Sequence, residues 1–475
     1  MEAMLRTPKR KTIRPVFLIV IGFLAIIFLG SVLLFLPFTH REGIDVPYVD
    51  SLFMSFSATC VTGLFSVPKG LAGTFNEWGY LIVAILIQLG GLGAGVVGVF
   101  IFIVISKRLS FDQQTIIKES WNLSDNRNLR RIFAIVFAMT AVFEICGAAL
   151  IFIDFYFFHS DIYEGNIIRT VCASVFTSIS AFNNAGFDLF GTESILAFQN
   201  DYFLLSVLAI LIISGGLGYM VHIDIFKKRF NWKKFTLQSK IVLSMTAFLI
   251  IVGGLGIFAS ENLGTRSLYS SGNEHMDLFN SIFLSISCRT AGFSTYNLAE
   301  TKRSTLMIMM ILMIIGASPG GTGGGIKTTT IFVVMTSFVS LFTLRDPNAF
   351  RRNMSKKALN RASLIFFASL GLIVVSIIVV TAFEGDSAYV VGNTVFHTYQ
   401  ADAVRYTTID YLFEICSAMA TVGLGTGYTV YYSVGTKIVL MILMFLGRIG
   451  PLSVSQLFYH KVRTWSYAEE EIAIG

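Results

Sequence analysis

The sequence predicts an all-α polytopic membrane protein, and three observations carry this prediction. Hydrophobic residues make up 54% of the 475 positions and charged residues only 14%. Eight apolar runs are as long as the roughly 18 residues that signal a spanning helix. A glycine-centred motif recurs four times at long intervals, which is typical of a repeated membrane architecture. The same observations exclude a soluble enzyme.

Each apolar run is predicted to form one transmembrane helix, which gives eight helices. Shorter, half-apolar segments lie between alternate pairs of spans. The first 14 residues are polar and basic, and the run after them is too long for a cleavable signal peptide, so we expect the first helix to be kept. The predicted spans are 15–38, 79–106, 132–157, 203–226, 241–259, 304–343, 363–383 and 435–458.

Basic residues are concentrated in every second loop. They precede the first span, follow the last, and fill the loops 107–131, 227–240 and 345–361. Short basic loops stay in the cytoplasm, so both termini are predicted to be cytoplasmic and the acidic loops extracellular. The net charge of +7 therefore indicates orientation and a lipid or partner surface, and nothing in it indicates nucleic acid.

The cysteines are predicted to be small buried packing residues. All five lie in apolar surroundings without CxxC spacing, which argues against a metal site or a disulfide framework. They are Cys60, Cys146, Cys172, Cys288 and Cys416.

Four glycine loops define an internal repeat. The strings ATCVTGLF, AFNNAGFD, SCRTAGFS and AMATVGLG place a glycine at positions 63, 186, 292 and 423, with spacings of 123, 106 and 131 residues. About ten half-apolar residues precede each loop, which is too few to cross a bilayer. A full span with a second glycine cluster follows each loop. The predicted unit consists of a helix, a short pore helix with its loop, and a returning helix (M1-P-M2). This unit is repeated four times around a pseudo-fourfold axis.

Such loops need a reason to exist at membrane depth, because lipid cannot satisfy irregular backbone. Four loops around one axis can direct carbonyl oxygens at a dehydrated monovalent cation, and glycine reaches positive φ at little cost. Each short helix would also point the negative end of its dipole at the ion path. The alternative is that the glycines only permit close helix packing. Recurrence of all four in register favours the cation filter.

These loops also indicate a family. With CVTGL, FNNAGF, RTAGFST and ATVGLG, the chain resembles the Trk/Ktr/HKT superfamily of potassium transporters over essentially its whole length, and most of all the KtrB-type membrane subunits of bacterial Ktr systems. The predicted organisation is a cytoplasmic segment 1–14, pore repeats 15–110, 131–230, 238–345 and 361–460, and a tail 461–475.

The resemblance implies a selectivity filter in which backbone carbonyls hold K⁺, with one key glycine in each loop. Gly63 implies potassium, because family members with serine there favour sodium. The fourth loop reads GLGTG where relatives commonly have GLS, a departure just outside the filter. The implied filter residues are Val61, Thr62, Gly63, Asn184, Ala185, Gly186, Thr290, Ala291, Gly292, Thr421, Val422 and Gly423.

The third returning helix is interrupted at Gly316–Gly325, immediately below the predicted filter, and this segment resembles the family's intramembrane gating loop. A nucleotide P-loop would need glycine directly before lysine, where Ile326 stands, and a preceding strand. The GxGxxG at Gly93, Gly95 and Gly98 lies in an apolar span and gives no dinucleotide site. The implied gating residues are Gly316, Ser318, Gly320, Gly321, Thr322, Gly323, Gly324, Gly325, Lys327 and Arg448.

Several charged residues lie deep in the predicted membrane. We hypothesise that loop carbonyls accept hydrogen bonds from Arg448 in the closed state and that its charge repels cations, with a purely structural clamp as the alternative. Lys327 either caps the loop or extends inward. Arg289 is expected to point away from the pore and to pair with an acid such as Glu414. Glu144 serves either a coupling site or, as we favour, an inter-helix hydrogen bond.

The function implied by the resemblance is channel-like, potassium-selective cation uptake across the bacterial plasma membrane. The implied partners are a second copy, with Glu469–Glu471 near the dimer interface, a cytoplasmic ring of nucleotide-binding Ktr subunits, and the lipid membrane, with Na⁺ as an activator. Catalytic groups do not converge in the sequence, so we expect no enzyme, no organic cofactor and no nucleic acid. The alternative function is a sodium- or proton-coupled secondary transporter with broken helices, although its repeats should alternate in orientation.

Overall fold

The computed structural model is mostly helical. It describes residues 15–93, 129–159, 165–191, 194–263, 274–344, 346–391, 394–396 and 404–450. Several predictions lie outside the described residues: the segment 1–14, the tail 461–475 with Glu469–Glu471, Gly95 and Gly98, and the ends of the second and eighth predicted spans.

Fifteen α-helices occupy the described residues. They are α1 (Pro15–Phe35), α2 (Tyr48–Thr59), α3 (Gly70–Thr74), α4 (Glu77–Gly91), α5 (Leu129–Phe157), α6 (Ile167–Asn183), α7 (Tyr202–Leu217), α8 (Tyr219–Lys228), α9 (Leu237–Asn262), α10 (Glu274–Ser287), α11 (Arg303–Ile314), α12 (Thr328–Thr343), α13 (Lys356–Glu384), α14 (Thr408–Ala420) and α15 (Val434–Ile449). Short 3₁₀ turns lie at Pro37–Thr39, Leu196–Phe198, Trp232–Lys234 and Tyr428–Tyr431.

Four short, largely buried helices lie at the centre: α2, α6, α10 and α14. Each packs against the long helix that precedes it, namely α1, α5, α9 and α13. Each also packs against the returning helix of a neighbouring unit: α4 packs on α6, α7 on α10, α11 on α14, and α15 on α2. The last of these contacts joins α15 of the fourth unit to α2 of the first, so the four units close into a circle.

The outer helices present large apolar side chains away from this centre. Ile145 on α5, Phe248 on α9 and Ile378 on α13 are all more than half exposed. Within the described residues, three helices are long and apolar enough to cross a membrane, and four if α7 and α8 are counted as one bent span. A surface of this kind suits contact with lipid, which is as apolar as a protein core.

The predicted span 203–226 is not one continuous helix, because the chain bends by 96° between α7 and α8. Gly218 stands at the bend with φ +90°, a backbone conformation that costs other residues free energy. The second returning helix is therefore broken, as the third is between α11 and α12.

Two small antiparallel sheets add to the helical fold. One pairs β1 (Asn348–Ala349) with β2 (Arg352–Asn353). The other, in the order β4-β3-β5, is built from β3 (Ser387–Val391), β4 (Thr394–Phe396) and β5 (Val404–Thr407), and β5 leads directly into α14. The prediction of an all-α fold is thus correct for the membrane body but missed these strands.

The expectation for the cysteines is correct in part. Cys60, Cys288 and Cys416 are buried and free of disulfides. Cys146 and Cys172 are exposed, so the prediction that they are buried is wrong. Their apolar neighbours are compatible with either a lipid-facing or a core-facing position, because both environments are apolar.

An ion pair joins the first short helix, α2, to the last returning helix, α15. Lys437 on α15 donates to Asp50 on α2, with 2.7 Å between Nζ and Oδ1, and both side chains are about nine-tenths buried. Removing one partner leaves a charge without compensation, whereas removing both does not.

We expect the substitution Asp50→Asn to lower the melting temperature of the purified protein, and the double substitution Asp50→Asn/Lys437→Met to recover part of the loss. A coupling energy of about 0.5–3 kcal/mol between the two sites is the expected result of a double-mutant cycle. Lys69→Met, at an exposed lysine, serves as the control and should change little. Additive effects of the two changes would contradict a stabilising pair.

Candidate functional site

The four glycine loops share one backbone conformation. In every loop the glycine has positive φ: +96° at Gly63, +69° at Gly186, +83° at Gly292 and +96° at Gly423. The residue two positions earlier is also left-handed in every loop. These residues are Val61, Asn184, Thr290 and Thr421. A left-handed non-glycine residue is uncommon, so its recurrence four times reflects a shared requirement.

The N–H groups of these loops are used by the short helices. The N–H of Thr62 donates to Ser57 O at 2.8 Å, that of Ala185 to Ser180 O at 2.8 Å, and that of Val422 to Ser417 O at 2.9 Å. Such bonds are the usual way of satisfying the last carbonyls of a helix. These N–H donors therefore turn back towards their own short helices.

The loops meet each other in a ring. A Cβ added to any of the four glycines would collide with the carbonyl oxygen of the residue just before the next glycine in the circle. Val422 O, for example, lies 2.5 Å from where a Cβ on Gly292 would stand. The contacts run from Gly63 to Ala185, from Gly186 to Ala291, from Gly292 to Val422 and from Gly423 to Thr62. The four predicted filter segments are thus brought together at one place.

A cavity of about 380 Å³ opens on one side of this ring. All four loop glycines line it, together with Asp188, Glu300 and Thr426. Asp188 follows the second loop and is buried. An acidic side chain at this position suits a cavity that concentrates cations.

On the other side of the ring, the loop between α11 and α12 packs against the break between α7 and α8. The N–H of Ser318 donates to Gly216 O at 3.1 Å, and the N–H of Thr322 donates to Gly215 O at 3.1 Å. In return, the N–H of Tyr219 donates to Gly320 O at 3.0 Å. The two interrupted helices therefore satisfy each other's backbone, as interrupted helices in a membrane must.

The same loop contacts the first residues of two filter segments. The N–H of Gly324 donates to Thr421 Oγ1 at 3.0 Å. A Cβ on Gly323 would collide with the side chain of Thr290. The predicted gating segment thus lies directly against the ring, on the side opposite the cavity.

Two cations hold the loop. Arg448 donates to Thr322 O of the loop through Nη1 and to Gly90 O of α4 through Nη2. Lys327 donates to Gly323 O at 2.6 Å, so it caps the loop, which was one of its two predicted roles. The remaining predicted gating residues belong to the same segment. Ser318 and Thr322 are fully buried in it, and Gly325 donates to Gly447 O at 3.3 Å.

Arg289 does not pair with Glu414, so that expectation is wrong. Glu414 accepts hydrogen bonds from Thr426 at 3.2 Å and from Thr429 at 2.8 Å, which lie in the segment after its own loop. Arg289 is buried beside the third loop, and its Nε has no hydrogen-bond partner among the described residues.

Glu144 makes the inter-helix hydrogen bond that the sequence favoured. Its Oε1 accepts from Asn183 Nδ2 at 2.9 Å, and the same nitrogen donates to Gln88 at 3.1 Å. Asn183 is the last residue of α6, next to the second filter loop. This polar contact joins α4, α5 and α6 behind that loop.

Sequence reasoning missed the part that the second break plays in this site. The string GGLG at Gly215–Gly218 was read only as a glycine cluster in a continuous span. A signal was present, since Gly218 precedes a polar stretch with His222 and Asp224.

Comparison with known proteins agrees with this architecture. The family model described as "TrkH: Cation transport protein" matches residues 19–467. The "Potassium/sodium uptake protein NtpJ" of Enterococcus hirae is 34% identical over 472 residues, 98% of each chain. The "Ktr system potassium uptake protein D" of Bacillus subtilis is 30% identical over 476 residues, again 98% of each chain.

A solved structure shares the fold. The potassium transporter TrkH from Vibrio parahaemolyticus superimposes with a TM-score of 0.67, covering 96% of this chain and 87% of that one at 17% sequence identity. The resemblance predicted from the four loops is thereby confirmed, and so is the expectation of a membrane transporter in place of an enzyme. The chain belongs to the TrkH family of cation transport proteins.

Proposed function

We propose that this chain is a potassium-selective, channel-like uptake protein of the bacterial plasma membrane. The observation that carries the proposal is the closed ring of four glycine loops, in which a carbonyl oxygen of each loop lies against the glycine of its neighbour, beside a cavity lined by acidic side chains. Carbonyl rings of this kind can replace the hydration shell of K⁺. The membrane potential supplies about 2.3 kcal/mol per charge per 100 mV, so uptake needs no ATPase in this chain.

The proposal includes the predicted membrane topology. Four M1-P-M2 repeats, at 15–110, 131–230, 238–345 and 361–460, cross the membrane eight times with both termini in the cytoplasm. The circular packing of the four short helices supports this arrangement. The cavity then opens outwards, and the loop at Gly316–Gly325 lies on the cytoplasmic side of the filter, where it gates the pore.

Regulation is proposed to come from partners. Relatives are named as Ktr system potassium uptake proteins, which suits a membrane subunit that works with other components. We propose a homodimer docked on a cytoplasmic ring of nucleotide-binding subunits, with Na⁺ as an activator. One relative is named as a potassium/sodium uptake protein.

The alternative is a secondary transporter coupled to sodium or protons. Two adjacent broken helices, at Gly218 and at Gly316–Gly325, are the observation that keeps it in view, since such transporters bind substrates at helix breaks.

We expect the chain to restore rubidium uptake in a bacterium that lacks its own potassium uptake systems, and to do so more strongly with a Ktr-type ring subunit. In proteoliposomes with a clamped potential, flux should persist when the sodium and proton gradients are removed. Flux that stops without one of those gradients would instead establish the secondary transporter. No uptake, with or without the ring subunit, would contradict both functions.

A further inference from the structure

Three metal-ligating side chains meet at one end of α5 and α7, away from the pore. Asp154 lies in the last turn of α5, His159 follows the end of that helix, and Asp201 caps the start of α7. One ligand atom from each, two carboxylate oxygens and an imidazole nitrogen, lie within 4.8 Å of one another. None of the three belongs to the filter or to the gating loop.

Asp154 is the residue that demands an explanation. Its side chain is 1% exposed, and Oδ2 has no hydrogen-bond partner among the described residues. The nearby carboxylate of Asp201 adds a second negative charge. Burying one carboxylate beside another is costly unless a positive charge or a proton shared between the two compensates.

The other two side chains are already oriented. Oδ1 of Asp201 accepts hydrogen bonds from the N–H groups of Phe203 at 2.9 Å and Leu204 at 3.0 Å, which leaves Oδ2 for the cluster. The ring of His159 packs edge-on against Phe198, with 4.9 Å between centroids. Contacts that fix the ligands in this way are a regular feature of metal sites.

A proton on His159 satisfies the cluster only in part. Nε2 lies 2.8 Å from Asp201 Oδ2 but 3.9 Å from Asp154 Oδ2, so a protonated ring bonds one carboxylate and leaves the buried one unsatisfied. A dication bound between the three atoms would contact all of them after a small shift of the side chains. It also offsets both negative charges while His159 stays neutral.

We propose that Asp154, His159 and Asp201 form a binding site for a divalent transition-metal ion of the zinc class. One imidazole and two carboxylates are ligands that zinc accepts, whereas calcium and magnesium prefer oxygen alone. Bonds of about 2.0–2.1 Å in a tetrahedron place ligand atoms roughly 3.3 Å apart, between the distances observed here. His159 is 29% exposed, and a water molecule would complete the tetrahedron.

A bound metal would cross-link the end of α5 to the start of α7. Phe198, which holds the His159 ring, belongs to the 3₁₀ turn Leu196–Phe198, and Leu196 lines the cavity above the filter loops. The site is thus one turn away from the wall of that cavity.

The test uses the full-length protein in detergent, treated with EDTA and freed of any affinity tag. Titration with zinc sulfate in a calorimeter should give one equivalent per chain, and Co²⁺ should give the absorption bands of a tetrahedral nitrogen and oxygen site. We expect His159→Gln to weaken zinc binding at least tenfold. His275→Gln, at an exposed histidine outside the cluster, is the matched control and should bind as the unchanged protein does.

A second variant guards against loss of folding. Asp154→Asn keeps the shape of the side chain and removes its charge, so without metal it should melt at or above the temperature of the unchanged protein. Zinc should then raise the melting temperature of the unchanged protein and of His275→Gln but not of Asp154→Asn. The proposal is overturned if the unchanged protein binds no zinc. It is also overturned if both His159→Gln and Asp154→Asn bind zinc as tightly as the unchanged protein does.

Discussion

Replacing Gly292 with alanine is expected to reduce rubidium uptake about 100-fold. A left-handed conformation costs alanine about 1–2 kcal/mol, and Gly292 has φ +83°. The added Cβ would also stand 2.5 Å from Val422 O and 2.9 Å from the Cα of Gly186, so a carbonyl of the ring must move. If the strain and the collision together disfavour the conducting geometry by about 3 kcal/mol, the rate of uptake falls about 100-fold.

Gly371→Ala is the matched control. This glycine lies in the middle of α13, its φ is not positive, and a Cβ there would meet nothing within 4 Å. Alanine is the better helix former, so uptake should be unchanged and stability equal or higher. Both variants should be compared at equal membrane abundance. Normal uptake by Gly292→Ala would exclude the glycine ring as the ion path.

Replacing Arg448 with alanine is expected to raise the basal cation flux about 10- to 100-fold in proteoliposomes without a ring subunit. Arg448 donates to Thr322 O in the loop and to Gly90 O on α4, and so joins the loop to the opposite side of the central circle. Hydrogen bonds from charged donors contribute about 1.5–3 kcal/mol each. Losing them shifts the equilibrium towards the open loop, and a repulsive charge is removed from the path at the same time.

Arg169→Ala serves as its control, because Arg169 is an exposed arginine in the first turn of α6. That variant should leave basal flux unchanged. Arg448→Lys separates the two contributions, since it keeps the positive charge but lacks the planar fork of donors with which Arg448 reaches both carbonyls. Unchanged flux in Arg448→Ala, with normal insertion and melting behaviour, would exclude a gating role for Arg448. The alternative, a purely structural clamp, would then remain.

The helices and the filter loops could be predicted from local pattern. Apolar runs identify membrane helices because lipid admits only backbone that is satisfied within the segment. The recurrence of one glycine in four similar strings identified Gly63, Gly186, Gly292 and Gly423 together, and the structure places them side by side. Arg448 was singled out because an arginine deep in a span requires polar partners.

Other features could not be read from local pattern. The string GGLG occurs at Gly90–Gly93, Gly215–Gly218 and Gly253–Gly256, yet among these only the second has backbone hydrogen bonds to the loop at Gly316–Gly325. The sequence suggested that Arg289 pairs with Glu414. In the structure Thr426 and Thr429 donate to Glu414 instead, because the chain folds back over α14. Cys146 and Cys172 face outwards for a reason invisible in sequence, since lipid and core are both apolar.

The sequence alone therefore determined which segments form apolar helices, where the four glycine loops and the break at Gly316–Gly325 lie, and which family the chain belongs to. These properties depend on residues that are close together along the chain. Only the tertiary structure decided which carbonyls meet across the ring, which break supports the loop, and how Asp154 comes to face His159 and Asp201. Except for Asp154 with His159, those contacts join residues tens to hundreds of positions apart, so their free energies depend on how the helices pack.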